Sequence, residues 1–367
     1  MTTQRVAAAQ ERLTDVDADG LVLFPSVDMA YISGFTDEPM ERHLFCFVGR
    51  DGDPIFVAPE MYDEQIRDTS HVTDVRTWAD GDDPLAHVED IADELGFRGG
   101  HLLVDDRMWA RFTHDLRATL PHATFELASA VIEPLRLRKN ADEQAALRTA
   151  AAVADRASVA VRELGVDAIG LTEAEFASRI ESELTAHGGN GTSFDVIVGS
   201  GPNSAKPHHR HSDREIEAGD PVVLDFGTRV DGYPSDQTRT TVFAGDPPNK
   251  FTDIHATVCD ALEAGVAAVE PGATAESVDA AARAVIENAG YSEAFIHRTG
   301  HGLGLEVHEP PYIVDGNDRK LEPGMVFSIE PGVYLDDEFG VRVEDIVIVT
   351  ENGCERLNDS PRGWQSL

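Results

Sequence analysis

The first third of the chain alternates short apolar runs with stretches of helical periodicity. An amphipathic N-terminal segment is followed by apolar runs at residues 20–24, 44–48, 55–58 and 101–104. Short apolar runs bounded by turn residues are typical of buried strands, whereas the stretches between them have the spacing of helices. The pattern predicts an α/β unit in which helices cover a mixed sheet. No group of residues in this part has the spacing of a catalytic site.

The pattern changes near residue 135. Asn140 is a suitable N-cap because Asp142 and Glu143 follow it in the first turn, and the helix is expected to run to about residue 164. Thr172 and Glu175 form a capping box for a second helix, which ends at the glycines of residues 188–189. Strands are then predicted over residues 194–198, 222–226 and 239–243.

A helix pair followed by strands then recurs. Helices are predicted over residues 251–269 and 274–289, and strands over residues 325–330 and 341–349. The phrase Ile-Glu-Ala-Gly before the strand that ends at Asp225 returns as Leu-Glu-Pro-Gly before the strand that ends at Glu330, 105 residues later. This repetition predicts an α+β domain with duplicated helix-helix-sheet halves. A pseudo-twofold axis between the halves would bring the two carboxylates together.

Four acidic residues interrupt the apolar strand patterns of this second part. Asp225 follows Val-Val-Leu, and the Asp-Gly pair at residues 231–232 predicts a hairpin that places Asp236 close to it. Glu330 follows Val-Phe-Ser-Ile, and Glu344 lies within Val-Arg-Val-Glu-Asp-Ile-Val. A buried carboxylate is costly unless it is paired or bound to a metal. Two divalent cations would neutralise all four acids together.

Histidines and one arginine complete the candidate site. His301 and His308 lie in the segment GHGLGLEVHE, where the glycines permit close backbone approach to a metal or a substrate. His208 lies in Lys-Pro-His-His, and its spacing from the first acidic strand favours it over the two histidines that follow it. Arg342 shares a strand face with Glu344, two residues away.

These segments resemble the "pita-bread" metallohydrolase family, which includes methionine aminopeptidases, aminopeptidases P, Xaa-Pro dipeptidases and the metal-free creatinases. The motifs DFGTRVDGYPSDQTRT, GHGLGLEVHE, SIEPG and VRVEDIV occur in the order and spacing of that family. The resemblance covers about residues 137–360, and the preceding part resembles the creatinase-type N-terminal domain. It therefore implies a creatinase-like domain over residues 1–134 and a catalytic pita-bread metallopeptidase domain over residues 135–367.

The resemblance also implies roles for the candidate residues. The positions that bind metal in the hydrolytic members are all present, namely Asp225, Asp236, His301, Glu330 and Glu344. Asp225 would chelate one ion, His301 and Glu330 would chelate the other, and Asp236 and Glu344 would bridge the two. Because four carboxylates and one imidazole form a hard, oxygen-rich set, Mn²⁺ or Co²⁺ is expected, with Zn²⁺ as a further candidate.

The expected chemistry is metal-assisted hydrolysis. Paired ions lower the pKa of a water held between them, so that it attacks the scissile carbonyl. Glu330 would transfer the proton of this water to the leaving nitrogen, and His308 would stabilise the oxyanion. His208 would position the substrate. Arg342 resembles the arginine that the family places two residues before its last metal ligand, and it is included in the catalytic set.

The resemblance predicts cleavage of the peptide bond before proline. An Xaa-Pro dipeptidase is the first hypothesis, and an aminopeptidase P acting on longer X-Pro peptides is the alternative. The long N-terminal part argues against a methionine aminopeptidase. A relative that hydrolyses the amide of a small solute is a further alternative, whereas a non-catalytic binding module would have lost metal positions that this chain keeps. Tyr312 lies where some relatives place an arginine that grips the substrate, which leaves the preferred peptide length open.

Composition changes the picture mainly through charge. The formal net charge is −37, with 67 acidic and 30 basic residues, so that phosphates would be repelled and a nucleic-acid or anionic-membrane partner is not expected. Lysine occurs only four times, which suggests a salt-adapted protein from a halophile, with a merely acidic cytosolic enzyme as the alternative.

Cysteine usage and apolar patterning bear on location and assembly. Three widely separated cysteines argue against a disulfide framework. No apolar run reaches the ~20 residues of a membrane span, and the N-terminus has no apolar signal core. A cytoplasmic protein is therefore expected, and the resemblance to a commonly dimeric family implies a homodimer.

Overall fold

A computed structural model describes residues 2–367, with side chains from Gln4 onward. The chain separates into two compact units, and the division falls after Arg136.

The first unit is an α/β sandwich around one mixed sheet. Its helices are α1 (Thr2–Asp15), α2 (Val27–Ser33), α3 (Asp63–Thr69), α4 (Pro84–Leu95), α5 (Ala110–Thr119) and α6 (Ser129–Arg136). Its strands are β1 (Gly20–Leu23), β2 (Phe45–Gly49), β3 (Ile55–Pro59), β4 (Asp74–Trp78), β5 (His101–Val104) and β6 (Thr124–Leu127). The strands are ordered β4-β3-β2-β1-β5-β6. The pairs β1–β2 and β2–β3 are antiparallel and the others are parallel, as the apolar runs predicted for a mixed sheet.

The second unit contains two helix pairs. The helices are α7 (Ala141–Arg162), α8 (Glu173–Ala186), α9 (Phe251–Ala267) and α10 (Ala275–Asn288). The first pair begins at the predicted caps, because Asn140 accepts from the backbone N–H of Glu143 and Thr172 accepts from that of Glu175. The capping box predicted for Thr172 is present, and the structure adds one at Asn140. Thr274 caps α10 in the same way by accepting from the N–H of Ser277.

Each helix pair packs on its own sheet. The strands are β7 (Ile197–Ser200), β8 (Val222–Phe226), β9 (Arg229–Val230), β10 (Tyr233–Pro234), β11 (Gln237–Thr241), β12 (Gly300–Gly302), β13 (Glu309–Ile313), β14 (Val326–Ile329), β15 (Gly332–Leu335), β16 (Phe339–Arg342), β17 (Asp345–Thr350) and β18 (Gly353–Arg356). One sheet has the order β11-β8-β7 and the other has the order β13-β12-β14-β17-β18. Two short hairpins, β9–β10 and β15–β16, accompany them.

The duplication predicted from sequence is confirmed in this architecture. One apolar core combines α7 and α8 with the sheet of β7, β8 and β11, and another combines α9 and α10 with the sheet around β14. The chain thus contains an α/β unit followed by an α+β pita-bread unit with two helix-helix-sheet halves. The strand β8, which contains Asp225, and the strand β14, which directly precedes Glu330, occupy equivalent places in the two halves.

One predicted strand is interrupted. The sequence predicts a single strand over residues 341–349, whereas the structure has β16 and β17 with Val343 and Glu344 between them. The backbone N–H of Glu344 donates instead to the carbonyl of Thr238 at 3.1 Å. The strand is interrupted because this residue bonds to the other sheet, a long-range contact that local periodicity does not encode.

Two global features follow from the described residues. Among them, no helix has both the length and the apolar character needed to cross a membrane. The three cysteines, Cys46, Cys259 and Cys354, are all free thiols.

Candidate metal centre

A cavity of about 490 Å³ lies within the second unit. All eight residues predicted from sequence line it, namely His208, Asp225, Asp236, His301, His308, Glu330, Arg342 and Glu344. They come from both halves of the unit, so the cavity is formed where the two sheets meet.

The hairpin predicted for the first half positions two of the acids. Asp225 lies on β8, where it pairs with Thr238 of β11, and Asp236 directly precedes that strand. Their side chains are largely buried, with whole-residue exposures of 9% and 4%. The antiparallel pairing therefore holds both carboxylates at one end of the three-stranded sheet.

The second half contributes the other two acids at strand ends. Glu330 directly follows β14, and its backbone N–H donates to the carbonyl of Thr299 at 2.8 Å. Glu344 lies between β16 and β17, and its carboxylate accepts a 2.7 Å hydrogen bond from the hydroxyl of Thr238. The contacts of Glu344 with β11 place it opposite the acids of the first half.

His301 joins the two carboxylate pairs. Its Nε2 atom lies 3.3 Å from Oε1 of Glu330 and 3.7 Å from Oδ2 of Asp236. Donor atoms of Asp236, His301 and Glu344 all lie within 4.8 Å of one another. Burial lowers the pKa of His301 well below its usual value, so the imidazole is neutral and can donate a lone pair.

The buried carboxylate oxygens fit a site for divalent cations. Oδ1 of Asp225, Oδ1 of Asp236 and Oε1 of Glu344 are buried without a hydrogen-bond partner. Burial, together with repulsion between neighbouring carboxylates, raises the pKa of Asp236 and of Glu344 well above their usual values. Burial also raises the pKa of Glu330 to about 7, against the opposing charge of Arg342. Cations among these oxygens would supply both the missing partners and the missing charge.

The guanidinium group of Arg342 is fixed by four hydrogen bonds. It donates to Oδ2 of Asp225 at 2.6 Å, to the hydroxyl of Tyr334 at 2.8 Å, to that of Thr238 at 3.1 Å and to the carbonyl of Pro207 at 3.3 Å. The arginine thereby fixes the orientation of the Asp225 carboxylate through Oδ2, while Oδ1 has no hydrogen-bond partner.

The three histidines near residue 210 have different environments. His208 lines the cavity. His209 contacts Glu173 at 2.8 Å, and His211 contacts the carbonyl of Val196 at 3.0 Å. Only the first of the three is therefore oriented toward the candidate site, as its spacing predicted. His308 also faces the cavity, with its ring packed edge-on against that of His301 at 4.1 Å between centroids.

Sequence reasoning missed further residues of the cavity. His297, Arg298 and Phe194 line it, and the Nε2 atom of His297 lies 3.0 Å from the Tyr334 hydroxyl. Arg298 stacks over the ring of Tyr312 at 4.5 Å. The only sequence signal for His297 and Arg298 was their proximity to His301, four and three residues away respectively, which does not distinguish a lining residue from a buried support.

Comparison with known proteins identifies the family. The model of "Metallopeptidase family M24" matches residues 145–351, and that of "Creatinase/Prolidase N-terminal domain" matches residues 5–138. The chain belongs to metallopeptidase family M24. Membership of this family accords with a divalent metal among the carboxylates, because its members are metallopeptidases.

Named relatives and solved structures of the M24 family match nearly the whole chain. The Xaa-Pro dipeptidase of Lactobacillus helveticus is 38% identical, with 96% of each chain covered. The crystal structure of dipeptidase PepE from Mycobacterium ulcerans is 41% identical with a TM-score of 0.92, covering 99% of this chain and 97% of that one. The crystal structure of a prolidase from Thermococcus sibiricus is 36% identical with a TM-score of 0.94, covering 100% and 99%.

Proposed function

We propose that this M24 metallopeptidase is an Xaa-Pro dipeptidase. The observation that carries the proposal is the convergence of five donor side chains on one cavity of about 490 Å³, with three of their buried oxygens unpaired. Its small volume suits a short peptide, since small-molecule sites range over about 300–1,000 Å³. The similarity to the Xaa-Pro dipeptidase of L. helveticus supports the choice of bond.

The residues that would hold two divalent cations are Asp225, Asp236, His301, Glu330 and Glu344. Mn²⁺ or Co²⁺ suits this oxygen-rich set better than Zn²⁺, which remains a third candidate. When bound, such ions supply Lewis-acid charge at the substrate carbonyl and lower the pKa of water. Asp225 is oriented for this role because Arg342 occupies its other oxygen.

The chain's own groups would handle binding and the proton. Glu330 can accept the proton of the attacking water on its carboxylate and deliver it to the leaving nitrogen. That delivery matters because the nitrogen of proline departs from a tertiary amide. His308 would donate to the developing oxyanion, and His208 would position the substrate.

The activity test compares two substrates. Holoenzyme reconstituted with Mn²⁺ at high salt, and separately with Co²⁺ or Zn²⁺, is incubated with a dipeptide X-Pro and a tripeptide X-Pro-Y. Free X is then measured. We expect metal-dependent release from the dipeptide only. Faster release from the tripeptide would replace the proposal with an aminopeptidase P, and bound metal without release from either peptide would indicate the amide of a small solute.

Further properties stay predictions under this proposal. They are the creatinase-like domain over residues 1–134, the catalytic domain over residues 135–367, the homodimer, the cytoplasmic location and the salt adaptation. The free thiols support an intracellular setting, and the net charge of −37 supports the salt adaptation.

A further inference from the structure

Glu173 is a buried carboxylate outside the metal site. It is the first residue of α8, and its side chain has no exposed surface. An ionised carboxylate is costly to bury without partners, so its hydrogen bonds indicate what it stabilises. All of those that the structure records come from one segment, residues 200–212, which begins at the last residue of β7 and forms the first part of the connection to β8.

The donors surround both carboxylate oxygens. They are the backbone N–H and hydroxyl of Ser200, both at 2.8 Å, the amide of Asn203 at 3.1 Å, Nε2 of His209 at 2.8 Å, and the backbone N–H and hydroxyl of Ser212 at 3.0 and 2.6 Å. They come from both ends and the middle of the segment, so the Glu173 side chain links all three parts by hydrogen bonds. Within the segment, the regular structure beyond the end of β7 is the short 3₁₀ helix Gly201–Ala205.

His208 lies inside this tied segment. It lines the cavity together with Pro207, while the next residue, His209, faces away and contacts Glu173. Arg342 donates to the carbonyl of Pro207 at 3.3 Å from the metal-site side. The backbone around His208 is therefore held by one contact on each side, one to the metal site and one to α8.

The charge of Glu173 is retained at working pH. Burial alone would raise its pKa, but hydrogen bonds from Ser212, His209 and Ser200 outweigh that cost and hold the pKa at about 2. If the carboxylate were removed, several buried donors would lose their acceptor, which is costly because they could not regain a partner from water.

We propose that Glu173 is a positioning residue for the peptidase reaction. Its carboxylate fixes segment 200–212 so that His208 is directed into the cavity, while the carboxylate itself touches neither substrate nor metal. The proposal rests on the proposed function, because that function assigns His208 to the substrate. Correct placement of a side chain is worth a great deal in catalysis, and a displacement of about 1 Å can cost on the order of 100-fold in rate.

The test uses Glu173→Gln in the metal-loaded enzyme, with Glu175→Gln as the matched control. Glu175 lies in the same turn of α8 and is exposed, and its carboxylate accepts only from Thr172. We expect Glu173→Gln to lower kcat/KM for an X-Pro dipeptide at least tenfold at unchanged metal content, and the control to stay within twofold. His209→Asn alters only one of the donors to Glu173, so we expect an intermediate loss of kcat/KM. This variant replaces Glu173→Gln in the test if Glu173→Gln does not fold.

A double-mutant cycle separates positioning from general destabilisation. Because Glu173 acts through His208, adding Glu173→Gln to His208→Ala should cost nothing further, whereas a merely structural role would make the losses multiply. Multiplying losses, or full activity of Glu173→Gln, would overturn the proposal.

Hydrogen exchange provides a readout that does not depend on activity. Amides of residues 200–212 should exchange faster in Glu173→Gln than in the wild type or in Glu175→Gln. If the wild type cleaves no X-Pro peptide, the proposed function fails. The hydrogen-exchange comparison then tests by itself whether Glu173 fixes residues 200–212. Unchanged exchange in the segment would then overturn its role.

Discussion

Carboxylate oxygens without a hydrogen-bond partner are the residue-scale feature that characterises the metal site. Asp225, Asp236 and Glu344 each bury one such oxygen, while the other oxygens of Asp225 and Glu344 are held by Arg342 and Thr238. Buried polar atoms are otherwise almost always paired in folded proteins. The protein thus fixes Asp225 and Glu344 through one oxygen and leaves the other oxygen of each without a hydrogen-bond partner.

Glu344→Gln should have opposite effects on the stability of the metal-free protein and on metal binding: it should raise the first and weaken the second. Removing one of four mutually repelling buried carboxylates should raise the melting temperature in EDTA. The same change should remove most of the stabilisation by Mn²⁺, which for the wild type is about 2.7 kcal/mol at 100 times Kd. Calorimetry with EDTA and with Mn²⁺ measures both effects. The exposed Glu351→Gln is the control, and equal Mn²⁺ shifts in both variants would contradict the assignment of Glu344.

Glu173 should contribute to stability in a defined pH range. Its folded pKa of about 2 lies below the ordinary value of 4.5, so the stabilisation is fully present above pH 4.5 and is lost as the pH falls toward 2. A shift of that size corresponds to about 3 kcal/mol at neutral pH. The free energy of unfolding of wild type minus Glu173→Gln, measured by urea titration between pH 7 and 3, should therefore decrease on acidification. A difference that is constant with pH would be inconsistent with an ionised Glu173.

At the scale of secondary-structure elements, glycines allow the strands of the metal site to approach closely. A Cβ atom at Gly300 would lie 1.8 Å from the carbonyl oxygen of Ser328, and one at Gly302 would lie 2.2 Å from that of Pro310. His301 lies between these two glycines and donates its backbone N–H to the Ser328 hydroxyl. The position of this imidazole therefore depends on the close contact of β12 with its neighbours.

Gly300→Ala should destabilise the protein and disturb metal binding together. The added methyl group would force β12 away from β14, at a cost of about 3 kcal/mol or more for overpacking. Urea unfolding and metal content after dialysis measure the two effects. Gly81→Ala is the control, because a Cβ atom there meets nothing within 4 Å. If Gly300→Ala were as stable as this control, the close approach would not be required.

Local signals explain which elements could be predicted. The helices α7 and α8 begin where Asn140 and Thr172 were expected to cap them, because a capping box involves only four consecutive residues. The strand predicted over residues 341–349 was wrong in continuity, because Glu344 bonds to Thr238 more than 100 residues away. Likewise, the roles of His209 and His211 depend on partners in other segments.

At the scale of the whole molecule, the dominant physical property is charge. The net charge of −37 is spread over a chain with only four lysines, so the folded state experiences strong self-repulsion at low ionic strength. Because the Debye length falls from about 10 Å at 0.1 M salt to about 3 Å at 1 M, added salt screens this repulsion.

The melting temperature should accordingly rise with salt. Between 0.1 and 2 M KCl we expect an increase of several degrees, each kcal/mol corresponding to about 2–4 °C in a domain of 150–250 residues. Differential scanning calorimetry across a KCl series measures it, and sucrose at matched osmolality controls for osmotic effects. An unchanged melting temperature and full activity at low salt would rule out salt adaptation and leave an ordinary acidic enzyme.

The sequence by itself determined the two-part architecture, the duplicated halves and eight of the residues that line the cavity. It did so because apolar periodicity, capping boxes and motif spacing are written in short stretches of chain. Only the tertiary structure decided which carboxylate oxygens remain unpaired, that Arg342 holds Asp225, that β16 and β17 are separate, and that Glu173 ties the segment of His208. These features depend on contacts between residues far apart in sequence, whose geometry is set by packing within each half and between the two halves.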